Sequence, residues 1–300
     1  MTPIINRIKE IAQSRSEECQ RVFHGRGQCF PGWEWITVDW YKPLFWICLF
    51  REPDFIWWQE FSEALHSAVG DLPVNILVQH RYLNHQPVDV IYGKSISKLV
   101  ATEDGLNFQV KFGEHQNTGL FLDMQNGRRW VKAHSQNARV LNLFSYTCGF
   151  SVAAIAGGAT CVINVDSAKS ALAWGRDNHR LNHQALDKVR FLPHDVLRSW
   201  GKLRKLGPFD LVIIDPPSFQ KGSFIAAKDY RKLGKHMADL LVPDGELLAC
   251  LNAPELSCRF LQDAIENPPL VWQERLPNPE TFPEVDPDKG LKVMRFKKLP

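Results

Sequence analysis

The sequence lacks the features of several protein classes. Its longest apolar run, at 43–50, is far shorter than the roughly 20 residues that span a bilayer. The seven cysteines are odd in number and form no CxxC pair, which argues against a disulfide framework and against a zinc site. The first ten residues are polar rather than an apolar leader. These absences predict a cytoplasmic protein with no membrane contact and no bound metal.

A strong excess of charge is also missing, since the formal net charge is +3. The charge is nevertheless uneven along the chain. Residues 1–117 contain 11 Lys and Arg against 14 Asp and Glu, whereas 118–300 contain 25 against 19. A basic catalytic part is typical of an enzyme that meets a polyanion, although solvated helix faces explain any single residue equally well.

The second part of the chain alternates strands and helices with short connections, which predicts a parallel sheet covered on both faces. The predicted helices include 167–182, 226–241 and 254–266. The last two strands have no helix between them and should form an antiparallel hairpin. We therefore expect an α/β, Rossmann-like sheet of seven strands with a terminal antiparallel hairpin, with strands at 140–144, 160–165, 189–193, 209–215, 246–251, 271–276 and 291–297.

The first 117 residues have a different pattern, with mixed helices and short strands that predict a small α+β domain. The domain prediction is therefore 1–117 for this part, as a candidate substrate-binding domain, and 118–300 for the catalytic part. Six of the ten tryptophans lie in the first domain. Stacking on unpaired bases is one use for such rings, and core packing is the favoured alternative. The predicted elements are helices at 4–19 and 53–69, strands at 35–40, 44–50 and 74–80, and a hairpin at 99–112.

The fourth predicted strand of the sheet stops abruptly at polar and rigid residues. Its apolar residues are followed by Asp215, Pro216 and Pro217, with Phe219 shortly after. Proline lacks an amide donor and cannot continue the ladder. The segment predicts a rigid lip that bears a carboxylate and an aromatic ring, with a plain turn as the alternative.

The first strand of the sheet runs into a tight turn, at 145–149, that opens a helix. In open α/β sheets this first turn is where ligands bind. Gly149 permits close approach of the backbone, and the helix N-terminus can receive a negative group. The sequence contains no G-x-G-x-x-G, so a dinucleotide cradle and a dehydrogenase are not favoured.

Two further carboxylates follow the next two strands. Asp166 stands roughly 20 residues beyond the turn, where an acidic side chain can accept from both ribose hydroxyls. Ser167 after it is predicted to cap the following helix, and a capping role is also the alternative for Asp166 itself. Asp195 is placed to accept from an adenine amino group. Together with Asp215, these residues outline a nucleoside site beside a reaction site.

With these residues identified, the chain resembles class I S-adenosylmethionine-dependent methyltransferases. More narrowly, it resembles bacterial 23S ribosomal RNA methyltransferases, which include a cytosine-C5 enzyme and the guanine-N7 half of a fused enzyme. A weaker similarity lies upstream, at His24-Gly25-Arg26-Gly27 and Phe30-Pro31-Gly32. The main motifs lie between residues 118 and 252, at 118–123 with Arg128, 141–147, Asp166, Asp195 and 215–219.

The resemblance implies S-adenosylmethionine as the cofactor and assigns roles to individual residues. Asp166 with Ser167 would bind the ribose, Asp195 with Val196 the adenine edge, and Asp215 would lie at the reaction centre. The remaining implied cofactor residues are Thr118, Phe121 and Asp123 as a clasp, Arg128 near the cofactor carboxylate, and Asn142, Phe144, Ser145, Tyr146, Thr147 and Gly149 around the methionine part.

The sequence departs from this pattern in two places. Cys148 stands where close relatives often have glycine, which bears on how closely the turn approaches the cofactor. The separate RNA-binding module that the family carries at its extreme N-terminus is expected to be absent, which leaves open how RNA would dock.

One residue bears on the atom that is methylated. Enzymes that methylate cytosine C5 attack C6 with a cysteine thiolate, and in the relatives that cysteine lies just past the fifth strand. This chain has Asn252 there, and Cys250 lies two residues earlier, inside the strand. Guanine N7 carries an in-plane lone pair and needs only positioning. Asp215 and Asn252 would then hold the base edge, with Phe219 stacked on the base beside Pro216 and Pro217.

The sequence thus predicts an S-adenosylmethionine-dependent methyltransferase of a ribosomal RNA base, acting on a nitrogen in preference to cytosine C5. Its partner would be ribosomal RNA, including RNA that is not fully assembled. A methyltransferase of a small molecule or protein, and a binding protein of the same fold without turnover, are the alternatives. A cytosine-C5 reaction would require Cys250 or Cys258 as the nucleophile. The sequence is compatible with a monomer or a homodimer.

Overall fold

A computed structural model describes residues 1–14, 16–114, 117–220 and 224–300. The chain divides into two compact units, of which the first comprises Met1–Asp123 and Pro279–Val285 and the second comprises Met124–Asn278 and Asp286–Pro300. The segment Pro279–Val285 therefore returns to the first unit from the far end of the chain, which the sequence did not suggest. Within the described residues, no helix has the length and apolar character needed to cross a bilayer. A substrate-binding role for the first unit stays a prediction.

The first unit is built on a five-stranded sheet with the order β1-β2-β3-β4-β5. Only β3 and β4 pair in parallel. Trp35, Trp40 and Trp46 are buried in this unit, so core packing accounts for those three rings. Its elements are α1 (Thr2–Ser14), β1 (Gln20–His24), β2 (Ile36–Tyr41), β3 (Leu44–Leu49), α2 (Phe55–Val69), β4 (Asn75–His80), β5 (Val88–Tyr92), and the hairpin of β6 (Lys98–Glu103) and β7 (Leu106–Lys111).

The second unit alternates strands and helices as the pattern predicts. Its strands are β8 (Arg139–Leu143), β9 (Cys161–Asp166), β10 (Val189–Pro193), β11 (Phe209–Ile214), β12 (Phe219–Gln220), β13 (Phe224–Ile225), β14 (Leu241–Leu251), β15 (Leu270–Leu276) and β16 (Lys292–Lys298). Its helices are α3 (Gln125–Ala133), α4 (Gly149–Ala156), α5 (Lys169–Leu181), α6 (Trp200–Leu206), α7 (Ala226–Leu240) and α8 (Cys258–Ile265).

The large sheet of the second unit has the order β10-β9-β8-β11-β14-β16-β15. The first five strands of this order are parallel, and β16 runs antiparallel to both β14 and β15. The predicted α/β fold with seven strands and a terminal antiparallel hairpin is confirmed. The strand order reverses between β8 and β11, and ligands of open α/β sheets bind at such a reversal, beyond the carboxyl ends of the strands.

The register brings the ends of the central strands together. Leu143 pairs with Val165 on one side and with Ile214 on the other, and Ile214 pairs with Ala249. Leu143, Val165, Ile214 and Ala249 are fully buried, because helices cover both faces of a parallel sheet. The polar residues that follow these strands therefore emerge at one edge.

A chain of buried polar side chains crosses the sheet and two helices beneath this edge. Asn142 of β8 donates to Asn164 of β9 at 2.9 Å, and Asn164 donates to Ser151 Oγ of α4 at 2.9 Å. Ser151 Oγ lies 2.9 Å from Nε2 of His179 on α5, and Nδ1 of His179 lies 2.6 Å from Gln184 Oε1. Oε1 of Gln184 can only accept, so the neutral imidazole carries its proton on Nδ1, and Nε2 accepts from the hydroxyl of Ser151.

Burial lowers the pKa of His179 from 6.5 to about 4. The neutral ring is thus the form that the folded chain accommodates, whereas the unfolded chain binds a proton below about pH 6.5. The contribution of His179 to the free energy of unfolding is complete above pH 6.5. It is lost as the pH falls from 6.5 towards 4.

We expect the His179→Gln variant to lose this pH dependence. At pH 7 it should be less stable than the unaltered protein, and acidification to pH 4.5 should narrow the difference by up to about 3 kcal/mol. Urea unfolding at the two pH values measures this, with the exposed His183 changed to Asn as a control. A stability difference that is the same at both pH values would contradict a neutral buried imidazole.

Candidate active site

The turn between β8 and α4 has an uncommon backbone conformation. Phe144, Tyr146 and Cys148 all have positive φ, at 57°, 45° and 62°, a region that costs free energy for residues with a Cβ. The N–H of Ser145 donates to the carbonyl of Val165 at 3.1 Å, and the N–H of Cys148 donates to the carbonyl of Ser145 at 2.7 Å. The turn is therefore fixed before any ligand arrives, and α4 begins directly after it at Gly149.

Asp166 connects this turn to the next helix. One of its carboxylate oxygens accepts from the N–H of Tyr146 at 2.9 Å, and the other accepts from the N–H of Ala168 at 2.8 Å. Each oxygen retains a further acceptor position for a ligand hydroxyl. The prediction that Ser167 caps α5 is wrong, because the N-cap residue is Ala168, whose own N–H donates to the carboxylate of Asp166. Ser167 is exposed beside the site.

Tyr146 is a neutral phenol in this turn. Burial, together with the negative charge of Asp166, raises the pKa of Tyr146 to about 12. Its ring lies 6.4 Å from the ring of Trp174 on α5. Thr147 and Ser145 are buried beside it. The turn thus offers a ligand an uncharged, partly apolar wall around the acceptors of Asp166.

Asp195 lies beyond the end of β10 and also has a local role. Its carboxylate accepts from the N–H of Leu197 at 2.9 Å and lies 3.6 Å from Nε of Arg198. It therefore caps the 3-10 turn Val196–Arg198, and its side chain remains 37% exposed. Val196 is buried in the core.

The lip after β11 is tied to the end of β14. The hydroxyl of Ser218 donates to the carbonyl of Asn252, and the N–H of Asp215 lies 3.5 Å from the carbonyl of Leu143. Pro216 is buried and Pro217 is exposed. The predicted lip is thus a real junction of three strand ends, and Asp215 lies at its centre.

Phe219 and Asn252 are the exposed residues at this junction. Phe219 opens β12, which pairs with β13, and 66% of its surface is accessible. Asn252 follows the last residue of β14 and is also exposed. The lip therefore presents an aromatic face and an amide at the same edge as Asp215.

Lys292 supports this edge from below and was not anticipated from the sequence. Its fully buried ammonium group donates to the carbonyls of Ala253 at 3.1 Å and Gly290 at 2.9 Å, and to that of Asp288. Burial lowers the pKa of Lys292. The final strand also carries Arg295, Lys297 and Lys298, so a lysine at its start gave no distinct signal. Through its bond to the carbonyl of Ala253, Lys292 fixes the segment that carries Asn252.

The predicted clasp residues fall in the first unit. Thr118 Oγ1 lies 3.2 Å from the hydroxyl of Tyr41 and donates to the carbonyl of Leu120 at 3.3 Å. Phe121 is 40% exposed, and Asp123 is half-buried. Arg128 instead lies on α3 of the second unit and is buried. A role for these four residues in holding the cofactor stays a prediction.

The predicted cofactor residues of the second unit suit a nucleoside joined to an amino acid. Asp166 and Asp195 supply acceptors for hydroxyl and amino groups, and the first N–H groups of α4 supply donors for a carboxylate. Asn142 lies under the turn in the buried polar chain, where its Oδ1 has no partner among the described residues. No three His, Cys, Asp or Glu side chains of the described ranges are grouped as metal ligands.

Comparisons with known proteins agree with this geometry. A family model described as S-adenosylmethionine-dependent methyltransferase matches residues 20–297. A crystal structure of a methyltransferase complexed with SAH superposes with a TM-score of 0.83 at 25% identity, covering 99% of this chain and 81% of that one.

Curated relatives match over part of their length. Ribosomal RNA large subunit methyltransferase I of Aeromonas salmonicida is 35% identical over 53% of this chain and 41% of its own length. Ribosomal RNA large subunit methyltransferase K/L of Shewanella sp. (strain MR-4) is 38% identical over 62% of this chain and 27% of its own length. The chain thus spans less than half the length of these relatives.

Gly175 is a further residue that the sequence did not single out, although a glycine inside a helical pattern signals a close approach. A Cβ built at Gly175 on α5 would lie 2.3 Å from Sγ of Cys148. Cys148 is fully buried, and burial raises the pKa of its thiol. The thiol therefore fills the space that a side chain at position 175 would need.

We expect the Gly175→Ala variant to displace Cys148 and to distort the turn, at a cost of about 1–3 kcal/mol in the free energy of unfolding. The double variant with Cys148→Gly should recover most of that loss, because glycine removes the thiol and suits the positive φ. Urea unfolding of the four proteins of the cycle measures the coupling. Additive effects of the two substitutions would show that the thiol and the helix do not compete for this space.

Proposed function

Since this chain belongs to the S-adenosylmethionine-dependent methyltransferase family, we propose that it methylates a ring nitrogen of a ribosomal RNA base. The predicted enzyme class and cofactor are confirmed by that membership. The acceptor is inferred from one observation. The exposed end of β14 carries Asn252 beside Asp215 and Phe219, and each described thiol near this end is buried or protonated.

The residues around the first turn would hold the cofactor. The carboxylate of Asp166, oriented by the N–H groups of Tyr146 and Ala168, would accept from the ribose hydroxyls. Asp195 would accept from the adenine amino group, and the start of α4 at Gly149 would receive the amino-acid carboxylate. S-adenosylmethionine supplies an electrophilic methyl group on a sulfonium when it is bound.

The lip would hold the acceptor base. The exposed ring of Phe219 can stack on the face of an extruded base, as enzymes that act on bases commonly arrange. Asp215 and Asn252 can then hydrogen-bond to its edge. A ring nitrogen with an in-plane lone pair would form the new bond to the methyl carbon as the bond from that carbon to the sulfonium sulfur breaks and its electron pair returns to sulfur, so these residues need only orient the base. No thiolate and no general base enters the step.

The thiols of this chain are poorly suited to the alternative reaction at cytosine C5. Cys250 is fully buried within β14, with its Sγ 3.9 Å from Sδ of Met124. Burial and the neighbouring Asp288 raise the pKa of Cys258 to about 11. A thiol must ionise to attack C6, and at neutral pH Cys258 is protonated.

Ribosomal RNA is proposed as the substrate on the basis of the relatives. Two proteins named as ribosomal RNA methyltransferases match more than half of this chain, and the part of the chain after residue 117 is basic. Ribosomal RNA is made and modified in the cytoplasm of bacteria, so we place the protein there. The assignment of the cofactor site does not depend on these inferences about substrate and location.

The Asp166→Asn variant tests the cofactor assignment. Asparagine replaces one acceptor oxygen by a donor that faces either an N–H group or a ribose hydroxyl. We expect the dissociation constant for S-adenosylhomocysteine to rise about a hundredfold, which corresponds to about 2.7 kcal/mol. Calorimetric titration measures it, with the exposed Asp187 changed to Asn as the control. A rise of less than threefold would remove Asp166 from the cofactor site.

The substrate is tested by transfer of labelled methyl to 23S ribosomal RNA from a strain without this gene, followed by nucleoside mass spectrometry. We expect a methylated ring nitrogen, with 7-methylguanosine as the product that the arrangement favours. The Asn252→Ala variant should slow transfer about a hundredfold, because the base edge loses a positioning group. Cys250→Ala and Cys258→Ala should retain activity within about threefold.

Three kinds of outcome would contradict the proposal. A product methylated at cytosine C5, or loss of transfer in Cys258→Ala with normal cofactor binding, would establish a covalent mechanism. Transfer to a small molecule or a protein, without transfer to RNA, would replace the substrate class. Tight cofactor binding with no transfer to any acceptor would identify a binding protein instead of an enzyme.

A further inference from the structure

One motif of the first unit has no part in the site described above. The segment His24-Gly25-Arg26-Gly27 follows β1 and forms the 3-10 turn Gly25–Gly27. Both glycines permit contacts that a side chain would prevent. A Cβ at Gly25 would lie 1.8 Å from the carbonyl oxygen of Trp33, and one at Gly27 would lie 1.8 Å from that of Pro283. The turn is thus clamped between two stretches of backbone.

The side chain of His24 fixes the same turn. Its Nε2 lies 3.1 Å from Oε1 of Glu284, and its Nδ1 lies 2.6 Å from Arg21. Arg21 in turn forms a two-bonded ion pair with Asp39. Each of these acidic residues therefore already has a basic or imidazole partner. The effect of the whole arrangement is to hold Arg26 in a defined place while leaving it exposed.

Arg26 does not stand alone at this end of the sheet. Its guanidinium lies 4.4 Å from the ring centroid of Phe50, and the guanidinium of Arg81 lies 5.3 Å from the same ring. Phe50 and Arg81 directly follow β3 and β4, which are parallel neighbours. Arg51, next in sequence to Phe50, packs against Trp35 at 5.0 Å. Three guanidiniums thus gather on aromatic rings at one sheet end.

The two arginines on Phe50 have no ion-pair partner among the described residues. Among the described residues, no carboxylate lies within ion-pair distance of Arg26 or Arg81, whereas Arg21 has Asp39 and Glu284 is held by His24. Partial desolvation by the surrounding protein and the charges of Arg81 and Arg21 lower the pKa of Arg26, although the charge of Glu284 opposes this shift. Glu34 and Glu52 flank the cluster in sequence and reduce its net charge. The two guanidiniums nonetheless repel each other, and a bound anion would relieve this repulsion.

We propose that Arg26 and Arg81, stacked on Phe50, bind phosphate groups of the RNA substrate, an inference that rests on the proposed function. A planar guanidinium matches the geometry of a phosphate, and stacking on a ring restricts the side chain before the anion arrives. Single-stranded nucleic acids are commonly held by such combinations of cations and rings. Such contacts add affinity for the phosphate backbone of the RNA and do not discriminate between base sequences.

The test uses the whole protein and a fluorescein-labelled single-stranded oligoribonucleotide of mixed sequence. The logarithm of the affinity falls as the logarithm of the salt concentration rises. Each phosphate contact that is lost should make this slope shallower by about 0.7, so Arg26→Gln/Arg81→Gln should make it shallower by about 1.4. The dissociation constant at low salt should rise at least tenfold. The Arg26→Lys/Arg81→Lys variant keeps the charge and should keep the salt slope.

A matched control removes the same charge elsewhere. Arg180 at the end of α5 and Lys188 before β10 are exposed and lie at the amino ends of the strands, opposite the candidate active site. Arg180→Gln/Lys188→Gln should change the affinity less than twofold. Equal losses in the control and the test variant, or an unchanged slope in the test variant, would overturn the proposal, as would equal displacement of the RNA by polyglutamate of matched charge.

Two further measurements separate this inference from the proposed function. Unfolding curves and S-adenosylhomocysteine binding of the Arg26→Gln/Arg81→Gln variant should match those of the unaltered protein. In methyl transfer to 23S ribosomal RNA, the variant should raise KM about tenfold and leave kcat unchanged. If the unaltered protein methylates the RNA and the variant does so with the same KM, the cluster is not an RNA contact. If the unaltered protein methylates no RNA, the proposed function fails, whatever the cluster binds.

Discussion

The carboxylate of Asp166 is the group on which the rest of the catalytic unit depends. It holds the N–H of Tyr146 on one side and the N–H of Ala168 on the other, so the turn after β8 and the start of α5 cannot move separately. The three left-handed residues of that turn would otherwise relax to lower-energy conformations. The same carboxylate has further acceptor positions for a ligand. A ligand bound there would therefore be held by the group that also holds the backbone.

The acceptor side is organised by a different kind of constraint. Carbonyl groups at the ends of β14 and of the final loop converge on the buried ammonium of Lys292, and the hydroxyl of Ser218 joins the lip to Asn252. The cofactor side is therefore held through a partly buried negative charge and the acceptor side through a buried positive one. Side chains that are proposed to contact the substrate, such as that of Phe219, take no part in these particular contacts.

Much of this arrangement could be read from the sequence, and the reasons differ among residues. Asp166, Asp195 and Asp215 were predictable because apolar strands end in polar residues at one edge of a parallel sheet. Gly175 and Lys292 were missed because their partners, Cys148 and the carbonyl of Ala253, are distant in sequence and adjacent only after folding. The helix cap was assigned to Ser167 from residue preference, whereas the carboxylate before it had the stronger acceptor. Pro279–Val285 belongs to the first unit, and the sequence of this segment has no periodic pattern that predicts this.

The packing of Cys148 against Gly175 constrains the history of this turn as well as its shape. A thiol at position 148 is compatible only with a helix that has no side chain at position 175. A path from alanine at position 175 that acquired the cysteine first would pass through a protein destabilised by about 1–3 kcal/mol, whereas a path that acquired the glycine first avoids this cost. Reversal is blocked in the same way, because restoring a side chain on α5 is harmful until the thiol is gone. The contact between positions 148 and 175 thus makes one order of these two substitutions less costly than the other.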